Sequence, residues 1–108
     1  MFGDIGKLMQ LAGRLKTELP RMRERLAATE FSAAAGGGAV TATVNGRMEL
    51  VDVKIAPEVL ADGDVEMLQD LTKAAVSAAQ KKAADAAARA LRELTGGMDI
   101  PGLEGLIT

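Results

Sequence analysis

The first thirty residues carry an apolar repeat with helical spacing. The repeat predicts a helix over about residues 4–28, with Asp4 favourably placed at the positive end of the helix dipole. Pro20 lies inside this range, but the repeat keeps its phase across it, which favours one kinked helix over two. The apolar positions alternate in steps of three and four residues, as in a coiled-coil seam: Ile5, Leu8, Ala12, Leu15, Leu19, Met22 and Leu26.

Two strand candidates follow this helix. Residues 30–35 form the first, and the three glycines at residues 36–38 provide a flexible connection. In the second, Val40, Ala42 and Val44 alternate with threonines, which is the pattern of a half-buried strand.

A hairpin signal comes directly after the second strand. Asn45 and Gly46 both tolerate a positive φ, so a tight turn is expected there. The return strand is predicted over residues 47–55, with both faces partly covered. Three short strands form a small meander with exposed edges, which favours pairing with a partner chain.

The C-terminal half is predicted to be mostly helical. Pro57 begins a turn or a short helix, and Asp64 is a good N-cap for a helix over residues 65–94. That helix would be about 45 Å long, so part of it should project beyond such a small sheet. Gly96 ends it, and residues 98–108 are expected to form a loosely held tail.

Composition limits the size of the core. Apolar residues make up 48% of the chain, but alanine supplies much of this fraction and only Phe2 and Phe31 are aromatic. Buried apolar area contributes only about 25 cal/mol per Å², so a lone protomer would have a thin core. We therefore expect a single α+β domain over residues 1–108, in the order α-β-β-β-α, that oligomerises.

The residue inventory argues against catalysis. Cysteine and histidine are absent, which removes thiolate nucleophiles, imidazole bases, disulfides and nearly every transition-metal site. An enzyme is the least favoured class, and no cofactor, metal or small-molecule substrate is expected. No apolar run approaches the roughly 20 residues of a membrane span, and no secretion signal is recognisable, so a cytoplasmic protein is expected.

Two motifs resemble ligand sites but are better explained as structure. Residues 62–66 resemble part of a calcium loop, yet they lack the alternating ligands and the distant glutamate, so a turn with a helix cap is favoured. The glycines at residues 36–38 are not followed by the lysine of a phosphate-binding loop.

The net charge of −2 hides an uneven distribution. Residues 1–30 hold six basic side chains against four acidic ones, and residues 73–95 hold five against two. Residues 45–72, between these two segments, hold only two basic side chains, Arg47 and Lys54. The same residues hold seven acidic ones: Glu49, Asp52, Glu58, Asp62, Asp64, Glu66 and Asp70. Two basic segments therefore flank an acidic one, and this asymmetry is compatible with a nucleic-acid partner.

The basic residues of both helices have two interpretations. They can form a solvated helix surface, or they can follow the phosphates of a nucleic acid with energy from counterion release. Because tyrosine and tryptophan are absent, single-stranded DNA and RNA loops are less favoured. The candidates are Lys7, Arg14, Arg21 and Arg25 on one flank of the first seam, Lys16 and Arg23 on the other, and Lys81, Lys82, Arg89 and Arg92 in the last helix.

Several stretches, in order along nearly the whole chain, resemble the YbaB/EbfC family. They are KLMQLA at residues 7–12, VNG at 44–46, VKIAPEVL at 53–60, MLQDL at 67–71, AAQKK at 78–82 and TGGMDIPGL at 95–103. The chain departs from that family's more charged first helix at Gly13 and Pro20.

The resemblance implies a bacterial, nucleoid-associated protein that forms a sheet-mediated homodimer with projecting terminal helices. It implies binding of double-stranded DNA by the ten candidates above, with an organising or regulatory role and a possible replication or recombination protein as partner. An alternative remains open from the residues: a dimeric interaction module for such a partner, without significant DNA binding, in which the basic flanks only aid solubility.

Overall fold

The computed structural model describes residues 2–96 and confirms the predicted α+β order. Its elements are α1 Phe2–Ala28, β1 Glu30–Ala35, β2 Val40–Asn45, β3 Leu50–Ile55, α2 Pro57–Ala61 and α3 Val65–Leu94. The expected tail, residues 98–108, lies outside the described residues.

Helix α1 is a single helix that contains Pro20, as the uninterrupted seam predicted. The Thr29 hydroxyl donates to the Arg25 carbonyl at 2.7 Å, and the Thr29 N–H donates to the Leu26 carbonyl at 3.0 Å. These bonds satisfy carbonyls that the end of a helix leaves without intrahelical donors. Thr29 therefore closes α1 one residue before β1 begins.

The strands form an antiparallel meander in the order β1-β2-β3. Val40, Ala42 and Val44 of the central strand are fully buried, and Ala33 of β1, opposite Ala42, is nearly so. The alternation of valine and threonine along β2 thus places its apolar residues on one face, against α3. Since α3 packs on β1 and β2, the core lies under that half of the sheet.

Helix α3 meets the sheet along a row of alanines. Ala75, Ala79 and Ala83 are fully buried, and their four-residue spacing keeps them on one side of the helix. Asp64 caps the helix by accepting a hydrogen bond from the Met67 N–H at 3.0 Å, as predicted. Small side chains let the helix lie close to the sheet but add little buried area, so the core of the single chain is thin.

Helices α1 and α3 meet beyond the sheet in a second apolar cluster. Leu19 and Met22 pack against Leu91, with Leu15 and Leu94 at the margin of the contact. We call α1 together with residues 87–94 of α3 the arm. The molecule extends over 68 × 22 × 17 Å, as expected if the long helix projects from the sheet.

The β2–β3 turn differs from the predicted hairpin. The strand β3 begins at Leu50, not at residue 47, and the left-handed residue is Met48, with φ of 65°. The Asn45 side chain shapes the turn: its Oδ1 accepts hydrogen bonds from the N–H of Arg47 at 2.8 Å and of Glu49 at 3.2 Å. The Asn45 side chain, rather than positive φ at Asn45 and Gly46, therefore organises a longer loop.

Gly46 is needed for a long-range contact. Its N–H donates to the Leu26 carbonyl at 2.9 Å, and a Cβ at this position would lie 2.0 Å from that same oxygen. The glycine therefore lets the β2–β3 turn touch the end of α1 directly.

The expectation that both faces of the return strand are partly covered is met only in part, since Met48 and Val53 pack against the core and the other apolar residues of the strand stay exposed. Leu50, Val51 and Ile55 are 53%, 50% and 39% exposed. A register shift between Thr43 and Val44 bulges the strand, and Leu50 and Ile55 then pair with Val44 and Val40. Their side chains thus continue the buried face of β2 beyond the area that α3 covers.

Gly13 offers a simple test of α1. A Cβ at Gly13 would meet no atom within 4 Å in the described structure, and helical glycine is about 0.5–1 kcal/mol worse than alanine. Gly13→Ala is therefore expected to raise the free energy of unfolding by about that amount, measured by urea denaturation. Ala84→Gly, at an exposed position of α3, should lower it similarly; a destabilised Gly13→Ala protein would contradict the open space at Gly13.

Candidate nucleic-acid interface

The six basic candidates of α1 are all exposed. Lys7, Arg14 and Arg21 repeat every seven residues, so they share one side of the helix, next to the seam that packs on α3. Arg25 lies on the same side, and the remaining two lie on the opposite flank: Lys16 and Arg23. The apolar seam packs on α3, and the basic side chains of α1 therefore lie on both flanks of this helix–helix contact.

Two arginines of α1 interact with other residues of the chain. Arg21 lies 3.8 Å from Glu18, one turn earlier, and both side chains are largely exposed. Such an exposed pair stabilises a helix by only a few tenths of a kcal/mol and breaks easily when a phosphate approaches. Arg23 is also engaged in an interaction within the chain.

The four basic candidates of α3 are exposed as well but have different surroundings. Lys81 pairs with Asp85 at 3.3 Å. The Lys82 ammonium donates to the Ser32 carbonyl of β1 at 2.7 Å, so it holds the helix to the sheet. Arg89 and Arg92 lie beside Leu91, at the level where α3 packs on α1.

The fold brings some candidates together and keeps others apart. Because Leu91 packs on Leu19 and Met22, the two arginines of α3 and those around Met22 lie at the same level of the arm. Lys81 and Lys82 lie two to three turns earlier on α3, beside the sheet. Lys7 lies at the opposite extreme, two turns before the first α1 residue of the packed cluster. The candidates therefore form an elongated surface, not a pocket.

A group of five acidic residues lies at the opposite end of the sheet. The α2 helix and the first turns of α3 lie there, next to the β1–β2 connection, since Gly36 lies against Leu71 and the Ala56 N–H donates to the Ala39 carbonyl. Five of the seven acids of the central segment belong to this end: Glu58, Asp62, Asp64, Glu66 and Asp70. Charge is thus separated along the molecule, with a basic arm and an acidic end.

Arg47 is a basic residue that the sequence pattern did not single out. It is exposed and follows Gly46, which contacts Leu26 at the end of α1. The turn therefore adds a cation at the base of the arm. No local signal reveals this, since the contact joins residues twenty positions apart.

Metal-binding clusters and membrane-spanning helices are absent from residues 2–96. In that range no group of three or more potential metal ligands is clustered, and no helix is long and apolar enough to cross a membrane. A cleft of about 580 Å³ lies where the end of α3 meets α1, lined by Gly13, Arg14, Thr17, Glu18 and Leu94.

Comparison with known proteins agrees with this geometry. The family model described as the YbaB/EbfC DNA-binding family matches residues 1–98. The chain belongs to the YbaB/EbfC DNA-binding family.

Curated relatives of this YbaB/EbfC chain span almost its full length. A nucleoid-associated protein of Clostridium acetobutylicum is 43% identical over 94% of this chain and 90% of its own. A nucleoid-associated protein of Gemmatimonas aurantiaca is 46% identical over 94% of this chain and 93% of its own.

A solved structure shares the fold of this YbaB/EbfC chain. It is the crystal structure of an uncharacterized protein from Helicobacter pylori, 26% identical, with a TM-score of 0.66. The match covers 87% of this chain and 96% of that one.

Proposed function

We propose that the protein is a nucleoid-associated protein that coats double-stranded DNA as a homodimer, through phosphate contacts made by the basic arm. Family membership supports DNA as the partner. The observation that carries the proposal is that all ten basic candidates are exposed on two helices, and that eight of them lie on the arm, away from the five acidic residues around α2 and the start of α3. An elongated surface of lysine and arginine suits a phosphate backbone.

We expect the protein to make few contacts with the base edges of DNA. Sequence-specific reading uses a helix or a β-ribbon in a groove with side chains that bond to base edges. Here the exposed polar groups of the arm are mostly flexible cations, which position a protein on DNA without specifying sequence. The expected role is therefore to organise the nucleoid or regulate broadly, with binding spread over many sequences.

Two surfaces support a homodimer that forms through β3. Within residues 2–96 no strand pairs with the outer edge of β3, where Leu50 and Val51 are half exposed. The other edge, on β1, is occupied in part by Lys82, which bonds to the Ser32 carbonyl. An apolar edge strand is open to a second strand, and a lysine at an edge discourages one. We therefore place the partner copy against β3.

The test is a fluorescence-anisotropy titration of a random-sequence duplex at several salt concentrations. The logarithm of the affinity should fall linearly with the logarithm of salt concentration, with a slope of about −0.9 per neutralised phosphate. Arg14→Ala with Arg21→Ala removes four phosphate contacts from a homodimer, so it should flatten this slope by about 3.6 and weaken binding to all sequences alike.

A matched control separates contact from net charge. Lys54→Ala with Lys73→Ala removes two cations outside the arm and should change the slope by less than half as much. No binding at low salt would contradict DNA coating and would favour a protein-interaction module. Equal effects of the two double variants would contradict the assignment to the arm.

A further inference from the structure

The β2–β3 loop carries a cation that is not among the ten helical candidates. The loop spans residues 46–49, between the end of β2 and the start of β3. Arg47 of this loop is exposed, and no ion pair within residues 2–96 involves its guanidinium. An arginine of this kind can bind an external anion, and its planar fork of N–H donors suits phosphate.

A backbone contact holds this loop against α1. The Gly46 N–H donates to the Leu26 carbonyl at 2.9 Å, and the two segments lie too close for a Cβ at Gly46. Arg47 comes directly after Gly46 in the loop, and on α1 the residue directly before Leu26 is Arg25. The contact therefore brings Arg47 to the base of the arm, close to the last arginine of α1.

Hydrogen bonds fix the loop on both sides of Arg47. The Asn45 Oδ1 accepts from the N–H of Arg47 at 2.8 Å, and the Met48 N–H donates to the Asn45 carbonyl at 3.0 Å. Met48 packs against the core and holds a left-handed φ of 65°, which a bulky residue adopts only where its surroundings impose it. Arg47 therefore extends from a fixed backbone, so binding a phosphate restricts little more than its side chain.

Two carboxylates lie near the loop, and neither forms an ion pair with Arg47. Glu30 is opposite Asn45 in the register of β1 and β2. Glu49, the acidic residue nearest to Arg47 in sequence, accepts a hydrogen bond from the Asn45 Nδ2 at 3.0 Å. The Asn45 side chain therefore has two effects: it fixes the backbone of Arg47, and it engages the carboxylate that could otherwise pair with the guanidinium.

We infer that Arg47 is a further phosphate contact of the DNA-binding surface and that Asn45 is the residue that positions it. A bound duplex then extends along α1 as far as the junction of this helix with the sheet. The inference rests on the proposed function, because it assumes that α1 lies along DNA. The contacts proposed for the helical candidates do not depend on Arg47.

Titration of a random duplex at several salt concentrations tests the contact. Arg47→Ala removes two cations from a homodimer and should flatten the slope of log affinity against log salt by about 1.8, whereas Arg47→Lys should preserve the slope. Lys73→Ala, which removes the same charge from an exposed position outside the arm, should change the slope by less than half as much. Equal effects of the two alanine variants would overturn this inference alone. No binding by the unaltered chain would overturn it together with the proposed function.

A double-mutant cycle tests the positioning role of Asn45. Asn45→Ala should weaken binding of the duplex about threefold to tenfold at fixed salt while Arg47 is present. In the Arg47→Ala protein the same change should alter the affinity less than about twofold, since no cation is left to position. Circular dichroism at the titration temperature shows that each variant is folded. Equal weakening in both backgrounds would mean that Asn45 acts on the fold in general, and the positioning role would be excluded.

Discussion

Replacing Gly46 by alanine is expected to lower the free energy of unfolding by about 3 kcal/mol. The added Cβ would lie 2.0 Å from the Leu26 carbonyl oxygen and 2.3 Å from its carbon, so two backbone segments must separate. Forced overpacking of this kind costs about 1–3 kcal/mol, and separation also weakens the hydrogen bond from Gly46 to Leu26, which contributes about 1 kcal/mol more.

Urea denaturation followed by circular dichroism measures this change. All variants must be compared at one protein concentration, because the stability of a dimer depends on it. Gly13→Ala is the matched control, since the same methyl group enters open space there and should act in the opposite direction. A Gly46→Ala protein within about 0.5 kcal/mol of the original would show that the turn and α1 are not in contact.

Leu50→Lys is expected to raise the dissociation constant of the proposed homodimer by at least about 100-fold. Leu50 continues the buried face of Val44 on β3, whose outer edge has no partner strand within residues 2–96. The substitution removes apolar contact and introduces a charge that the interface would have to desolvate. Both copies carry the change in a symmetric dimer, so the effect counts twice.

Sedimentation equilibrium at micromolar concentration measures the result, with a monomeric mass expected for Leu50→Lys. Met9→Lys introduces the same charge at an exposed apolar residue of α1 and should leave the dimer intact. Loss of the dimer should also weaken DNA binding, since two linked arms bind more tightly than one. A Leu50→Lys protein that remains dimeric would exclude β3 as the interface.

The elements of the fold were predictable because their signals are local. Asp64 and Gly96 mark the two ends of α3, because a helix cap and a terminating glycine act within one helical turn. The alternation along β2 identified the buried face of that strand. The single helix α1 was predictable despite Pro20, because the apolar positions before and after this proline keep the same helical phase.

The details that the sequence did not reveal depend on distant contacts. Met48 takes the left-handed conformation that Asn45-Gly46 was expected to take, because Gly46 is committed to its contact with Leu26. Similarly, the bond from Lys82 to Ser32 joins residues fifty positions apart. The basic candidates could be selected from their spacing along each helix. The residues that they contact elsewhere in the chain could not be predicted in this way.

The bond between Lys82 and Ser32 also bears on how far assembly can proceed. If both edges of this sheet were open, copies could add one after another and build a fibre. Because the Lys82 ammonium bonds to the Ser32 carbonyl, the β1 edge is disfavoured for the addition of another strand. Pairing through β3 uses the other edge of the sheet. Such an assembly closes after two copies, so the proposed dimer would not polymerise through its own sheet.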